Sequence, residues 1–319
     1  MSAPAVPIPA QQTMRGRAKQ GVDHTAGLVE AWLRAHTLLV YAFLYVPIIV
    51  VVVYSFNGTN QRVMHWEGFS LRWYEFVAQN NEVQRYLWNS VVVGLGTAII
   101  STTVGTMAAL GLQRVPRFIR MPFDALTYVS VIVPELVIAL ATLVFFASTI
   151  GRDGILTNAT GITLGFGYHT IIGALSLFNI SLTLLLVRAR LSGMDRTHVE
   201  ASYDLYATPI RTFWQITLPQ LLPAIVAGFL LSFTFAFDDY LITTFVNGQG
   251  TSTLPLYVFG QIKRGVNPST NVIATLMLLV TLTLLIGGQW LLGRYARRSG
   301  GRAGLGQGGV AEIVAEGGT

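Results

Sequence analysis

Six long apolar segments dominate this sequence and limit what it can fold into. They are Thr37–Phe56, Trp88–Leu112, Ala125–Ser148, Ile162–Val187, Leu221–Val246 and Asn271–Leu292. Each reaches the length of about 20 apolar residues that a helix needs to cross the hydrocarbon of a bilayer. Inside a bilayer the backbone must form its hydrogen bonds within the segment, so each segment is expected to be helical. The sequence therefore predicts an all-α, polytopic membrane protein with six transmembrane helices.

The composition of the 319-residue chain excludes a soluble protein. Hydrophobic residues make up 52% of it and charged residues only 11%, whereas soluble domains are about 25% charged. The formal net charge of +6 can suggest a nucleic-acid partner, but the basic residues flank the apolar segments, where they orient a membrane protein. The sequence therefore predicts contact with membrane lipid and no nucleic-acid binding. Because the chain has no cysteine, disulfides and thiolate metal sites are excluded.

The basic residues lie mainly on one side of the predicted topology. Of the 21, four fall in the N-terminal tail, three between the second and third segments, four between the fourth and fifth, and four after the sixth. Because basic loops stay in the cytoplasm, both termini are predicted to be cytoplasmic in a multi-pass protein of the plasma membrane. Residues 1–35, which lack a signal-peptide core, and residues 299–319 are predicted to be disordered cytoplasmic tails around a membrane domain of residues 36–298.

A charged and aromatic stretch, Thr197–Pro223, separates the fourth and fifth apolar segments. Thr197 and Glu200 have the spacing of a capping box, which predicts the start of a short helix. Thr208–Pro209 is typical of the end of one helix and the start of the next, and the last two prolines are expected to stop the second helix. The stretch therefore predicts two short helices joined by an elbow. The alternative is a surface loop whose aromatic residues pack against lipid headgroups.

Within this stretch, the run EASYDLYATPIRTFWQITLP resembles the EAA loop of binding-protein-dependent ABC importer permeases. That loop begins with E-A-A, has a glycine near its centre and ends in I-x-L-P. The matching residues here are Glu200, Ala201, Ile216, Leu218 and Pro219. The chain departs from the pattern at two positions, with Ser202 in place of the second alanine and Tyr206 in place of the glycine. Because tyrosine lacks the backbone freedom of glycine, Tyr206 leaves the angle of the elbow open.

The resemblance implies a type I ABC importer (MetI-like) permease fold with a cytoplasmic coupling helix, residues 197–219, that fits a groove on an ATPase. It assigns ATPase coupling to Glu200, Ala201, Asp204, Ala207, Pro209, Leu218 and Pro219. The runs VPELVIAL and FDDYLITTF extend the resemblance to the second permease subunit of spermidine/putrescine importers. Such importers combine two different permeases, two ATPase subunits and a periplasmic substrate-binding protein in the inner membrane. The resemblance therefore implies these partners and a polyamine or a related amine as substrate.

Other functions remain open at this point. The same architecture can import another solute, such as an amino acid, an opine-like compound or an oxyanion. An ATP-independent carrier or channel, or a membrane scaffold without transport, would also be rich in apolar segments. Transport by the purified chain alone in liposomes would identify a carrier or channel.

Three acidic residues in the apolar segments are candidates for the substrate path. Glu135 follows a proline in the third segment, and Asp238 and Asp239 precede Tyr240 in the fifth. Ionisable groups in a membrane are costly, and the six segments contain no Lys or Arg to neutralise them. A cationic ligand would do so, with Tyr240 offering a ring face for a cation–π contact. Adjacent helical residues project about 100° apart, so one aspartate at most should face a central path and the other should cap or anchor a neighbouring element. The alternative is that Glu135 is a packing residue and that the aspartates mark the water interface.

Catalysis by the chain itself is excluded on its motifs. It contains no G-x-x-x-x-G-K-[ST] loop, and its lysines are Lys19 in the N-terminal tail and Lys263 on the other side of the membrane. Without a phosphate-binding loop the chain cannot hydrolyse ATP, so a separate subunit is expected to do so. No metalloprotease or serine-hydrolase motif is present, and neither a cofactor nor a metal site is expected.

Overall fold

The computed structural model describes residues 12–59, 65–151, 154–161, 164–195, 197–265 and 267–300. The regular elements in these ranges are helices, which confirms the all-α prediction. In chain order they are α1 Gln12–Tyr54, α2 Arg72–Gln79, α3 Asn81–Gly111, α4 Arg117–Ile132, α5 Glu135–Ile150, α6 Ile155–Thr160, α7 Tyr168–Ser192, α8 Thr197–Asp204, α9 Pro209–Thr212, α10 Leu218–Phe237, α11 Leu241–Val246, α12 Leu254–Arg264 and α13 Pro268–Gly300. A π-helical turn, Phe213–Thr217, joins α9 to α10.

Six helical segments of the described chain are long and apolar enough to cross a membrane, as predicted. They are Val29–Tyr54, Asn81–Gly111, Glu135–Thr160, Tyr168–Ser192, Pro209–Phe237 and Pro268–Trp290. Their ends differ from the predicted ones because hydropathy does not register helix breakers. The fourth, for example, begins at Tyr168 and not at Ile162, since Gly165 and Gly167 disfavour a helix before it.

Helices cover the inner part of each predicted tail. Helix α1 begins at Gln12, so residues 12–35 are helical and not disordered as predicted. A helix that is nucleated in an apolar segment extends at little cost through good helix formers such as Arg15, Arg17 and Lys19. Helix α13 likewise reaches Gly300. The outer parts of the predicted tails, residues 1–11 and 301–319, lie outside the described residues.

Helices α3, α7 and α10 form the packed centre of the bundle. A Cβ atom added to Gly105 of α3 would lie 2.9 Å from Cβ of Thr183 in α7, and one added to Gly228 of α10 would lie 2.9 Å from Cγ2 of the same threonine. The Thr183 and Ser232 hydroxyl oxygens are 3.1 Å apart and link α7 to α10. Small residues therefore allow these three helices to approach closely, as in other membrane bundles.

The two ends of the bundle differ in charge. Helices α3 and α7 run in the same direction, since Gly96 lies against Ile172 and Gly105 lies against Thr183 further along both helices. Arg114 and Arg188 lie where these two helices end and α10 begins; we call this end the basic end. Helices α2, α11 and α12 lie at the opposite end.

An ion pair that the sequence analysis missed joins α4 to α7 at the basic end. Both terminal nitrogens of Arg188 donate to the carboxylate of Asp124, one of them over 3.0 Å. Arg120 lies one helical turn before Asp124, with its Nε atom 3.6 Å from Oδ2. Hydrogen bonding from Arg188 holds the pKa of Asp124, which lies outside the six candidate spans, below its usual range. The pair ties the middle of α4 to the last turns of α7.

Two of the predicted segments are broken, and the breaks position the candidate substrate path. The third predicted segment is not continuous, because α4 ends at Ile132 and α5 begins at Glu135. Pro134 lacks an N–H group and forces Val133 into an extended conformation, with ψ of 130°. The fifth predicted segment breaks between Phe237 and Leu241. The acidic candidates Glu135, Asp238 and Asp239 lie at or directly beside these two breaks.

Candidate functional site

The charged stretch between α7 and α10 forms two short helices and an elbow, as predicted. Helix α8 begins at Thr197, but its first contact differs from the predicted capping box. Asp195 Oδ1 accepts hydrogen bonds from the Thr197 N–H (2.9 Å) and from the Thr197 hydroxyl (2.6 Å). These bonds, that of the hydroxyl first, hold the pKa of Asp195 below its usual range. Asp195 is therefore charged at neutral pH, and its negative charge interacts favourably with the positive N-terminus of α8.

The elbow between α8 and α9 keeps the backbone geometry that glycine usually provides. Tyr206 has a φ of +58° and is the non-glycine residue with positive φ in the described chain. Its N–H donates to the Tyr203 carbonyl (2.9 Å) and the Ala207 N–H donates to the Ser202 carbonyl (3.0 Å). This pair of bonds is the Schellman motif, in which the left-handed residue normally is glycine. These hydrogen bonds therefore set the angle of the elbow, which the sequence did not predict, and Tyr206 adopts the strained left-handed conformation.

The second departure from the EAA pattern also has a structural role. Ser202 is buried, and its hydroxyl oxygen lies 2.9 Å from that of Thr212, which is buried as well. The Ser202 hydroxyl also donates to the Val199 carbonyl over 2.7 Å. An alanine at this position would leave the Thr212 hydroxyl without this partner. Ser202 therefore ties α8 to α9 and stiffens the elbow.

Helix α9 does not end at the prolines that were expected to stop it. Thr208 caps α9 by accepting from the Arg211 N–H (3.4 Å), and Pro209 occupies the first turn, as predicted. After Thr212 the chain continues through the π-helical turn into α10, with the Leu218 N–H donating to the Phe213 carbonyl. Pro219 lies in the first turn of α10. A proline there needs no N–H bond, and the wider π-helical turn leaves room for its ring, so the helical run continues.

The structure places the seven predicted coupling residues in two groups. The side chains of Glu200, Ala201, Asp204 and Pro209 are exposed on the elbow and Ala207 is half-buried beside them. Leu218 and Pro219 are half-buried at the start of α10, away from the elbow. A groove of about 750 Å³ at the basic end lies beside the elbow and is lined by α8, α9 and the ends of α3 and α7. The first group is therefore the part of the set that another protein can reach.

The acidic candidates meet in one cavity near the opposite end of α10. This cavity has a volume of about 410 Å³, and its lining residues are Glu135, Thr234, Phe235, Asp238, Asp239, Tyr240 and Leu241. It lies where α5 begins and where α10 gives way to α11. Ala139 of α5 packs with Ile242 and Val246 of α11 in one apolar cluster, which holds the two broken segments together. The cavity brings together all four of the predicted substrate-path residues.

The two aspartates make different contacts, as predicted, although they lie in the break between α10 and α11 and not on a helix. Asp239 is only 6% exposed, and its carboxylate accepts from the Thr243 N–H (2.8 Å), the Thr243 hydroxyl (2.7 Å) and the Ile242 N–H (3.4 Å). It therefore caps α11. Asp238 is exposed to the cavity, and its contact with the Thr281 hydroxyl of α13 is long, at 3.5 Å. Glu135 lies within hydrogen-bonding range of Asp239. The carboxyl groups of Asp238 and Glu135 are thus the accessible ones.

Two residues of α12 belong to the surroundings of the cavity and were missed by the sequence analysis. The Tyr240 ring packs against Phe259, with the ring centroids 4.2 Å apart. The Lys263 ammonium lies 4.9 Å from the centroid of Phe259. The Phe259 ring of this pair therefore already contacts one cation. A cation–π signal, an aromatic residue four positions before a lysine on a helix, was present in the sequence.

Comparison with known proteins gives the same family over most of the chain. Residues 101–300 match the family described as binding-protein-dependent transport system inner membrane component. The putrescine transport system permease protein PotI of Escherichia coli (strain K12) is 35% identical over 248 residues, which are 77% of this chain and 85% of that protein. The spermidine/putrescine transport system permease protein PotC of the same strain is 32% identical over 251 residues, 78% of this chain and 89% of that protein.

Solved structures of low sequence identity share the fold. A chain of a bacterial ABC transporter involved in the import of the acidic polysaccharide alginate aligns with a TM-score of 0.70 at 13% identity, and the alignment covers 87% of this chain and 99% of that one. A bacterial alginate ABC transporter in complex with an alginate pentasaccharide-bound periplasmic protein gives a TM-score of 0.68 at 14% identity, over 86% of this chain and 96% of that one. These matches confirm the type I ABC importer (MetI-like) permease fold. The chain is a multi-pass membrane protein and belongs to the family of inner membrane components of binding-protein-dependent transport systems, whose members are transport components and not enzymes.

Proposed function

We propose that the chain is the membrane-spanning subunit of an ATP-binding-cassette importer for putrescine, spermidine or a related amine. The cavity at the junction of α10 and α11 carries the proposal. Three carboxyl side chains line this cavity, and among the described residues its lining contains no Lys or Arg. The two permease relatives, with putrescine and spermidine/putrescine in their names, support this substrate class.

The electrostatics of the cavity favour a cation. Glu135 and Asp238 lie in or beside apolar helices, where an unpaired carboxylate is costly. Asp239 already caps α11 and lies close to Glu135, so these two carboxyl groups must share either a proton or a cation. A diamine supplies two positive charges on an apolar chain, and the Tyr240 ring offers a face for such a cation. The substrate would therefore replace the missing counter-charge and be released when the cavity opens to the other side.

The remaining partners follow from the family architecture. One ATPase subunit would bind the elbow at the basic end and a second would bind the other permease, since the chain has no phosphate-binding loop of its own. A second permease subunit would complete the substrate pathway, and a periplasmic binding protein would deliver substrate to the opposite end. Both termini would then be cytoplasmic, in agreement with the position of the basic residues. Because the chain has no cysteine, a single cysteine introduced at Tyr206 would report its side: labelling from the periplasm would contradict this topology.

Charge-neutral replacements test the substrate class. Glu135→Gln and Asp238→Asn should each raise the KM for amine uptake about tenfold or more, the loss expected for one charge-assisted hydrogen bond. Glu75→Gln, which neutralises an exposed carboxylate of α2 at the same end, is the matched control and should leave uptake unchanged. The fold also accommodates an importer of an acidic polysaccharide, so an anionic solute is the alternative: uptake of an anion would survive or increase in the same variants. Unchanged amine uptake in both would refute the proposed substrate.

Charge reversal tests the coupling surface. Glu200→Lys and Asp204→Lys change exposed residues of α8 and should prevent copurification of the ATPase, while the protein still inserts into the membrane. Glu75→Lys at the opposite end should have no effect. Recovery of the ATPase at the normal level with the double variant would contradict the proposed coupling site. Transport by the purified chain alone in liposomes would identify an ATP-independent carrier instead.

A further inference from the structure

The elbow presents two large apolar side chains at its apex. Leu205 and Tyr206 directly follow α8 and are 81% and 96% exposed. They lie directly after the acidic residue Asp204 and precede the predicted coupling residues Ala207 and Pro209. Exposure of two adjacent large apolar side chains is unfavourable in water unless another molecule covers them.

The backbone at this apex makes the tyrosine harder to explain by folding alone. Tyr206 holds a φ of +58°, a conformation that glycine adopts freely and a residue with a Cβ atom does not. Among the described residues, its ring has no aromatic partner and its hydroxyl no hydrogen bond, in keeping with its exposure of 96%. The chain thus keeps a strained residue without gaining packing from it. Strain of this kind at an exposed position points to a function outside the chain.

We propose that Leu205 and Tyr206 form a docking knob that inserts into an apolar pocket of the ATPase subunit, with basic residues of the ATPase around the pocket facing Glu200 and Asp204. This inference rests on the proposed function and adds the chemistry of the partner surface. Aromatic residues that fill a pocket at the centre of an interface often carry most of its binding energy. The acidic residues of α8 surround the knob and would orient it as it docks.

Charge separates this partner from the lipid surface. The cytoplasmic leaflet carries anionic lipids and attracts basic segments. The exposed carboxylates of Glu200 and Asp204 lie on α8 directly before the knob and would be repelled by that surface. The exposed Arg211 of α9 follows the knob and donates to Gln215, so the charge next to the knob on α8 favours a protein surface with a basic rim over anionic headgroups.

The knob would also select the ATPase. A pocket shaped for a glycine at the apex has no volume for a tyrosine ring, so an ATPase adapted to such permeases would clash with Tyr206. Discrimination of this type uses an unfavourable contact with the wrong partner as well as a favourable one with the right partner.

A series of substitutions at Tyr206 separates the ring from the backbone. The full-length chain, with its permease partner in lipid nanodiscs, would be titrated with the ATPase subunit of the same importer. Tyr206→Phe keeps the ring and should change the Kd by less than about threefold. Tyr206→Ala keeps the strain without the ring, and Tyr206→Gly removes both; each should weaken binding by about 30-fold, the loss typical of a hot-spot aromatic residue. Because Tyr206→Gly relieves the strain, its melting temperature should not fall, so weaker binding could not be attributed to unfolding.

The outcomes distinguish this inference from the proposed coupling site. If Tyr206→Ala and Tyr206→Gly bind the ATPase as tightly as the natural chain while Glu200→Lys and Asp204→Lys do not, the knob is refuted and the coupling site stands. If none of these variants weakens binding, the proposed function fails as well. A fluorophore on a single cysteine at Ile210, which is exposed beside the knob and leaves Leu205 and Tyr206 intact, should shift its emission to the blue when the ATPase binds. Quenching by brominated lipids without ATPase would assign the knob to the membrane and overturn the inference.

Discussion

Replacing Gly105 by alanine tests the close contact between α3 and α7. The added Cβ would lie 2.9 Å from Cβ of Thr183, 3.0 Å from the Ile180 carbonyl oxygen and 3.1 Å from the Leu184 amide nitrogen. Carbon atoms in ordinary contact are about 3.5 to 4.0 Å apart, so α7 must move away by about 0.5 Å. Two of the three atoms belong to the α7 backbone, and no change of side-chain rotamer can relieve those contacts.

The expected loss of stability follows from two opposing effects. Overpacking of a tight interior costs about 1 to 3 kcal/mol. Replacing a helical glycine by alanine offsets about 0.5 to 1 kcal/mol of this. Gly105→Ala should therefore lower the free energy of unfolding by about 1 kcal/mol, within a range of about 0 to 2.5 kcal/mol, or by a few degrees in melting temperature. Gly111→Ala is the matched control, because a Cβ at this position of the same helix meets no atom within 4 Å. It should be neutral or slightly stabilising.

A second pair of variants locates the clash. A Cβ on Gly228 would lie 2.9 Å from Cγ2 of Thr183, a methyl group that Thr183→Ser removes while it keeps the hydroxyl. Thr183→Ser should therefore rescue Gly228→Ala but not Gly105→Ala. Melting followed by tryptophan fluorescence in detergent measures all of these variants. Equal stability of Gly105→Ala and Gly111→Ala, or full rescue of Gly105→Ala by the serine, would refute the close packing of the two backbones.

Three further predictions concern single contacts. Ser202→Ala should weaken the contact between α8 and α9 by about 1 to 2 kcal/mol, because it leaves the Thr212 hydroxyl unpaired, and adding Thr212→Val to this variant should restore the lost stability. Amide hydrogen exchange in α8 measures the single and the double variant. Exchange rates equal to those of the natural chain in Ser202→Ala would contradict the role of this pair. Asp239→Ala should lower the melting temperature through a loss of about 1 to 2 kcal/mol, whereas Asp239→Asn, also a good cap, should retain most of the stability. Asp124→Asn should destabilise by about 1 to 3 kcal/mol at neutral pH, because it loses the bonds from Arg188. Folding lowers the pKa of Asp124, so its ion pair stabilises the protein fully above the unfolded pKa of about 3.9. This stabilisation is lost as the pH falls through the lower pKa of the folded state. The melting temperatures of the natural chain and of Asp124→Asn should therefore converge at that low pH.

The parts of the fold that were predicted depend on local chemistry. Six apolar segments of sufficient length predict six spans without reference to any partner. The start of α8 at Thr197 and the succession of Thr208 and Pro209 are likewise set by residues that are neighbours in sequence. The prolines after α9 misled the prediction because their effect depends on where they fall within a helix. Pro219 lies in the first turn of α10, where proline is tolerated.

The parts that were missed depend on contacts between distant residues. Hydropathy registers length but not continuity, so the breaks before Glu135 and after Phe237 were absorbed into single segments. Asp124 and Arg188 are 64 residues apart, and no local pattern joins them. The conformation of Tyr206 was undetermined for a related reason: the identity of a residue gives its preference, whereas the hydrogen bonds of the elbow override that preference here.

A single helical run connects the two candidate sites. It extends from Pro209 at the elbow to Phe237 beside the cavity, over 29 residues, or about 43 Å at about 1.5 Å per residue. The bond between the Ser202 and Thr212 hydroxyls ties its first turn to α8, and its last residue directly precedes Asp238. The π-helical turn is where this run can bend, since such turns are common at sites of helix distortion. A protein that grips the elbow at the basic end would therefore act on the acidic cavity through one helix, with no flexible loop between the two.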